Sequence, residues 1–212
     1  MTTRHISTFF AAFALIGLAF SGLPAAAQPA IPAPRAEGLD MVMGAPDAPI
    51  TMIEYASITC PHCARLHNET MPRLKSEYID TGKLKLVFRD FPLDRIALNA
   101  AMLARCAGPE RYFTFLEVFF AQQPNWLRGT SADQIMASLR RLARTGGMSE
   151  AQMDSCLANA EVQNAVLTQT MTGEREHKVQ STPTLVINGT VHRGGIGFEE
   201  LDAVLKPLVA RR

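Results

Sequence analysis

Residues 53–67 read IEYASITCPHCARLH, and within them the run Cys60-Pro61-His62-Cys63 decides how the rest of the chain is understood. Upstream, PITMIEYAS alternates apolar residues, Ile50, Ile53 and Tyr55 among them, and predicts a buried strand ended by the CPHC turn. Downstream, the spacing predicts a helix from Pro61 to near Tyr78. Pro61 suits a first helical turn, where its missing N–H costs nothing. Pro72 falls inside that helix and predicts a kink. Two cysteines therefore sit at a strand-to-helix junction.

Working outward, Thr81-Gly82 stops the helix, and KLKLVFRDF predicts a second strand with Leu84, Leu86 and Phe88 on one face. From residue 94 to about 178 every segment has helical spacing. Ser131 with Gln134 and Ser149 with Gln152 read as capping boxes, and Gly146 reads as a C-cap. The aromatic run YFTFLEVFF reads as the core of this helical block. Strands then return as TPTLVING and TVHRGG, a predicted hairpin around Asn188-Gly189, before a last helix, GFEELDAVLKPLVA. The order predicts one α/β sheet, residues 42–93 and 179–212, interrupted by an all-helical insertion, residues 94–178.

The N-terminus sets the compartment. MTTRH is short and basic, ISTFFAAFALIGLAF is apolar, and Ala25 and Ala27 stand in an A-x-A arrangement before Gln28. That is the pattern of a secretory signal peptide, residues 1–27. Its apolar part is shorter than the roughly 20 residues a spanning helix needs, and Pro24 breaks it. Residues 28–41, rich in Pro and Ala, read as a flexible leader. Export from a bacterial cell places the mature chain in the periplasm. Arg4 is the one Lys, Arg, Asp or Glu within residues 1–27. With 21 basic and 20 acidic side chains overall, the mature chain is balanced, and nothing in it argues for nucleic acid or an anionic membrane surface.

Four cysteines allow three pairings. Cys60 and Cys63 are neighbours, which leaves Cys106 and Cys156 in the helical block. An oxidising compartment predicts a structural disulfide between them, the alternative being two buried free thiols. For CPHC itself, a haem anchor needs a histidine after the second cysteine, where Ala64 stands. A structural zinc site needs four ligands, and only His62 and His67 lie near. A disulfide across two residues is a strained bridge of the labile, catalytic kind. The remaining reading is redox chemistry, with no metal. Cys60 at the helix N-terminus meets free amides and the positive end of the helix dipole, which favour a thiolate. His62 could add a positive charge or a hydrogen bond. Cys63, one turn in, reads as the buried resolving thiol.

The CPHC pair after IEYAS, the later Ser181-Thr182-Pro183-Thr184, and a helical block between two halves of an α/β sheet resemble the DsbA-like thiol:disulfide oxidoreductases. The resemblance covers about residues 42–210 and implies a thioredoxin fold with a helical insertion. It implies that Cys60 is the surface nucleophile and Cys63 its partner, and that Pro183 is cis and abuts the disulfide. It further implies that Thr182 tunes the couple and offers its backbone to an extended substrate, and that Glu54 is a buried acid relaying protons near Cys63. Lys85 or Arg89 is the expected counter-charge for Glu54, the alternative being an ordinary surface glutamate on an edge strand. His67 and His177 read as surface residues.

The resemblance thus implies an exported dithiol oxidase that introduces disulfides into reduced, unfolded secreted proteins. It needs no soluble cofactor, and a DsbB-like membrane quinone reductase reoxidises it. The short leader leaves no room for a dimerisation domain and implies a monomer. A disulfide isomerase or reductase on the same scaffold is the runner-up. A non-catalytic peptide- or metal-binding protein is a third reading, which the scattered methionines do not favour.

Overall fold

The computed structural model describes Met1 and residues 40–210, so the expected signal peptide and most of the leader lie outside the described residues. Five strands form one mixed sheet in the order β1-β3-β2-β4-β5. They are β1 (Met41–Met43), β2 (Ile50–Ala56), β3 (Leu84–Asp90), β4 (Thr184–Ile187) and β5 (Thr190–Arg193). β2 lies at the centre, parallel to β3 and antiparallel to β4. β1, too short to declare itself by alternation, pairs with β3 from Met41 onward, so the ordered fold reaches into the stretch expected to be leader. The β4–β5 hairpin turns on Asn188 (φ 44°) and Gly189 (φ 87°), both left-handed, as a tight Asn-Gly turn requires.

The helical run after CPHC, residues 61–79, is not one regular helix. The α-helical turns α1 (Pro61–Arg65) and α2 (Met71–Leu74) alternate with π-helical turns at Leu66–Thr70 and Lys75–Ile79. Pro72 cannot donate to Asn68 O and crowds it. The chain answers by widening, and the Met71 N–H reaches back five residues to Leu66 O. The predicted kink is thus relieved by an extra residue in the turn before the proline. Leu66, Met71, Leu74, Tyr78 and Ile79 pack on Ile50, Met52, Leu84 and Leu86 of the sheet, together with Leu201 and Leu205 of α9 (Phe198–Ala210).

The insertion comprises α3 (Arg95–Cys106), α4 (Pro109–Ala121), α5 (Gln123–Trp126), α6 (Ala132–Thr145), α7 (Glu150–Leu157) and α8 (Ala160–His177). Cys106 at the end of α3 is bonded to Cys156 in α7, closing 50 residues of chain. Ser149 and Gln152 form a reciprocal capping box at α7. The pair at α6 differs. Ser131 accepts from the Gln134 N–H, but the Gln134 side chain turns to the backbone N–H and hydroxyl of Thr130, so only half the box forms. Gly146 ends α6 at φ −75°, and the left-handed residue is the next one, Gly147 at φ 91°.

Two buried polar clusters join the insertion to the sheet. Arg105 bonds Asp90 of β3 (Nε–Oδ2 2.6 Å), which also accepts from the Tyr112 hydroxyl. On the face under α8, Arg89 holds Asp40 through two hydrogen bonds and Tyr55 through a third, while His177 Nδ1 lies 2.9 Å from the Tyr55 hydroxyl. His177 is therefore half-buried and engaged, not a free surface residue. α8 approaches this closely because residue 173 is glycine. A Cβ there would meet the Tyr55 ring at 2.7 Å.

Candidate active site

Cys60 is the N-cap of α1, with extended backbone (φ −75°, ψ 121°) and Pro61 behind it in the first turn. The loop leading to it is fastened from both ends of the insertion's first half. Thr59 donates to Asp94 (2.7 Å), which simultaneously caps α3 by accepting from the Ala97 N–H. Gln123, buried at the start of α5, donates through Nε2 to both Ile58 O (2.7 Å) and Cys60 O (3.1 Å). Opposite the sulfur, the Thr182–Pro183 peptide is cis, and Cys60 Sγ lies 3.4 Å from Thr182 O.

The two sulfurs are unjoined and differ in environment. Cys60, expected at the surface, is only 5% exposed because the Thr182–Pro183 segment lies against its sulfur, and Cys63 is fully buried. In the neutral form the Cys60 thiol donates to Thr182 O. Ionised, it accepts instead. The Cys63 thiol is the largest stabiliser; the Thr182 side chain and the N–H groups of Cys63 and His62 add to it, against the cost of burial. Together they pull the Cys60 thiol down from its ordinary 9.0 to about 5. The Thr182 hydroxyl is buried without a hydrogen-bond partner beside this sulfur, so a thiolate is the acceptor it lacks. Burial pushes the Cys63 thiol far up, and Cys60 and the Glu54 charge push it the same way. His62 helps through its backbone N–H, while its side chain is exposed and bonds nothing among the described residues.

Glu54 is fully buried. It shares a strand face with Ile50 and Met52, which turns it under the helical run and toward Cys63. Neither expected counter-charge reaches it. Lys85 bonds Pro46 O, and Arg89 is committed to Asp40 and Tyr55 on the opposite face. The partner is His67, whose Nε2 lies 3.0 and 3.1 Å from the two carboxylate oxygens. His67 is buried, its ring stacked on Phe120 (centroids 4.4 Å) and edge-on to Phe88. It follows Cys63 by four residues, so the helical spacing that puts both on one face was the available signal. Asp94 was also missed, although an Asp just ahead of a helical run is a cap signal, and Gln123 carried no signal at all.

Next to the His62 side of α1, a cavity of about 90 Å³ runs between His62, Arg65 and Glu69 on one side and Gly195–Gly197 on the other. Among the described residues no cluster of His, Cys, Asp or Glu gathers to hold a metal ion, and no helix is long and apolar enough to cross a membrane. An ionised sulfur backed by a neutral one is an arrangement suited to exchanging bonds with another sulfur.

Comparison with known proteins agrees. A family model described as Thioredoxin matches residues 36–207. A Rickettsia bellii (strain RML369-C) protein named as a protein-disulfide oxidoreductase is 32% identical over 151 residues, 71% of this chain and 57% of that one. The chain thus spans little more than half the length of such curated relatives. The crystal structure of Wolbachia pipientis alpha-DsbA1 is 30% identical with a TM-score of 0.75, over 81% of this chain and 92% of that one. That of a protein-disulfide isomerase from Novosphingobium aromaticivorans is 25% identical with a TM-score of 0.73, over 80% and 97%.

Proposed function

The chain belongs to the thioredoxin family, among its DsbA-like thiol:disulfide oxidoreductases, and from that premise we propose that it is an exported dithiol oxidase. The observation that carries this is the contrast in setting between the two sulfurs: Cys60 caps the N-terminus of α1 against the cis Thr182–Pro183 peptide, where its thiolate is favoured, and Cys63 is sealed from water, where a charge is costly. A couple whose reduced form is stabilised by an ionised sulfur gives up its disulfide readily, and so oxidises its partner.

In the cycle, a substrate thiolate attacks Cys60 Sγ of the Cys60–Cys63 disulfide. A Cys60–substrate bond forms, and Cys63 leaves with the electron pair of the old one. A second substrate thiolate then attacks the substrate sulfur of that mixed disulfide and expels the Cys60 thiolate. The substrate loses two electrons and the cysteine pair gains them. Pro61 opens the helix so that the amides of His62 and Cys63 face the sulfur. Thr182 and Pro183 flank it as the edge on which an extended reduced chain lies as an added strand. Glu54 relays the proton of Cys63. The substrates are unfolded secreted proteins in the periplasm, the enzyme is a monomer without a soluble cofactor, and a DsbB-like quinone reductase restores the disulfide.

The isomerase or reductase reading draws on the Novosphingobium aromaticivorans protein-disulfide isomerase, which has the same architecture. Equilibration of the purified chain with glutathione decides between them. A potential clearly above the roughly −200 to −230 mV of glutaredoxins supports the oxidase, and one near thioredoxin's, about −270 mV, removes it.

A further inference from the structure

The resolving sulfur has a proton problem. Cys63 is fully buried, so its proton has no direct route to water. Glu54, beside it, is equally sealed, and both of its oxygens are taken up by one group, His67 Nε2. His67 in turn stands at the wall of a surface cavity of about 390 Å³ between the helical run and α4, with Asn68, Met71, Lys75 and Glu117 around it. Its other ring nitrogen makes no hydrogen bond to the described residues and is not among their buried, unpartnered polar atoms. The groups that face the ring are few. β2 presents Glu54, β3 presents Phe88, α4 presents Phe120 and Glu117, and its own helical run presents Lys75.

We propose that His67 is the proton portal of the site: it carries protons between the cavity beside α4 and Glu54, and through Glu54 to the Cys63 sulfur. The inference rests on the thiol-exchange reading and deepens it. When Cys63 is displaced from the disulfide it leaves as a thiolate. His67 gives its Nε2 proton to the Glu54 carboxylate, Glu54 passes a proton on to that sulfur, and His67 is reprotonated from the cavity. One proton moves from solvent to sulfur, and the disulfide-forming direction runs the same path outward. An imidazole suits the task because it can take a proton at one nitrogen while releasing one at the other. His67 touches no reacting sulfur and acts through Glu54, so it is a positioning residue.

The test separates the two sulfurs. The full chain is mixed with oxidised glutathione, and closure of the Cys60–glutathione mixed disulfide by Cys63 is followed by stopped flow from pH 5 to 9. Cys60 alone is read by its rate of alkylation with iodoacetamide. His67→Gln keeps a hydrogen-bonding side chain but cannot titrate. The expected result is closure slowed by about tenfold or more, with its pH profile altered and Cys60 alkylation within about twofold of the parent. Free imidazole should restore closure to His67→Ala through the adjoining cavity. Unchanged closure with an unchanged pH profile in His67→Gln overturns the portal. So does a parallel loss of closure and Cys60 alkylation without imidazole rescue, since that is the signature of a packing role. If the parent chain itself forms no mixed disulfide, the thiol-exchange reading fails first and the portal falls with it.

Discussion

The depressed Cys60 thiol makes the stability of the reduced protein depend on pH in a way the oxidised protein cannot share. Cys60 sits at about 5 when folded, against 9.0 for an ordinary thiol. A group whose folded value is depressed contributes stability that is complete above the unfolded value and lost as pH falls through the folded one. At pH 7 the folded sulfur is ionised and the unfolded one is not, across two pH units. At about 1.4 kcal/mol per unit this is about 3 kcal/mol. Below pH 5 the contribution is gone. Cys63, pushed upward, is silent throughout that window. All other titrating groups are common to both redox forms and largely cancel in the difference. The experiment is urea unfolding of the reduced and oxidised chain at half-unit steps from pH 4 to 7.5, with thiolate absorbance recorded alongside. The reduced-minus-oxidised stability should fall by about 3 kcal/mol on acidification, and reduced Cys60→Ser should lose that slope. A difference that stays flat over this range, with thiolate absorbance appearing only near pH 8 to 9, would refute the assignment of Cys60 as the stabilised anion.

Three further outcomes follow from the packing. Cys106→Ser opens a 50-residue loop and should cost up to about 4 kcal/mol in denaturant unfolding, with Cys60 alkylation unchanged. Gly173→Ala drives a methyl into the Tyr55 ring and should cost about 1–3 kcal/mol, read by the urea midpoint. Gln123→Ala leaves the buried carbonyls of Ile58 and Cys60 without their donor. It should cost about 1–3 kcal/mol and slow disulfide exchange at Cys60, measured by stopped flow against glutathione.

What the sequence made legible was whatever local physics decides. The strand before CPHC, the Pro61 helix start and the Asn188-Gly189 hairpin each depend on residues within a few positions of one another, and together they give the sheet with its helical insertion. Tertiary choices were hidden. Ser131-Ala-Asp-Gln134 has the letters of a capping box, yet Gln134 found a better partner in Thr130. His67 read as a surface residue because nothing in its neighbours along the chain marks a lone histidine as buried. Its burial is set by Phe120, 53 positions away in sequence, and by a Glu54 whose expected cations were already engaged elsewhere. Pro72 announced a bend, but not that the chain would absorb it with π-helical turns.

The tethering of the Cys60 loop by Asp94 and Gln123 bears on how such chains can be recombined. The loop and the helical block are not separable cassettes. A chimera that exchanges residues 94–178 for another block would leave Thr59 and the Ile58 and Cys60 carbonyls addressed to residues no longer there. A transplant that keeps the nucleophile's setting must carry an acid at the first cap and an amide at the start of α5, or else move residues 57–60 along with the block.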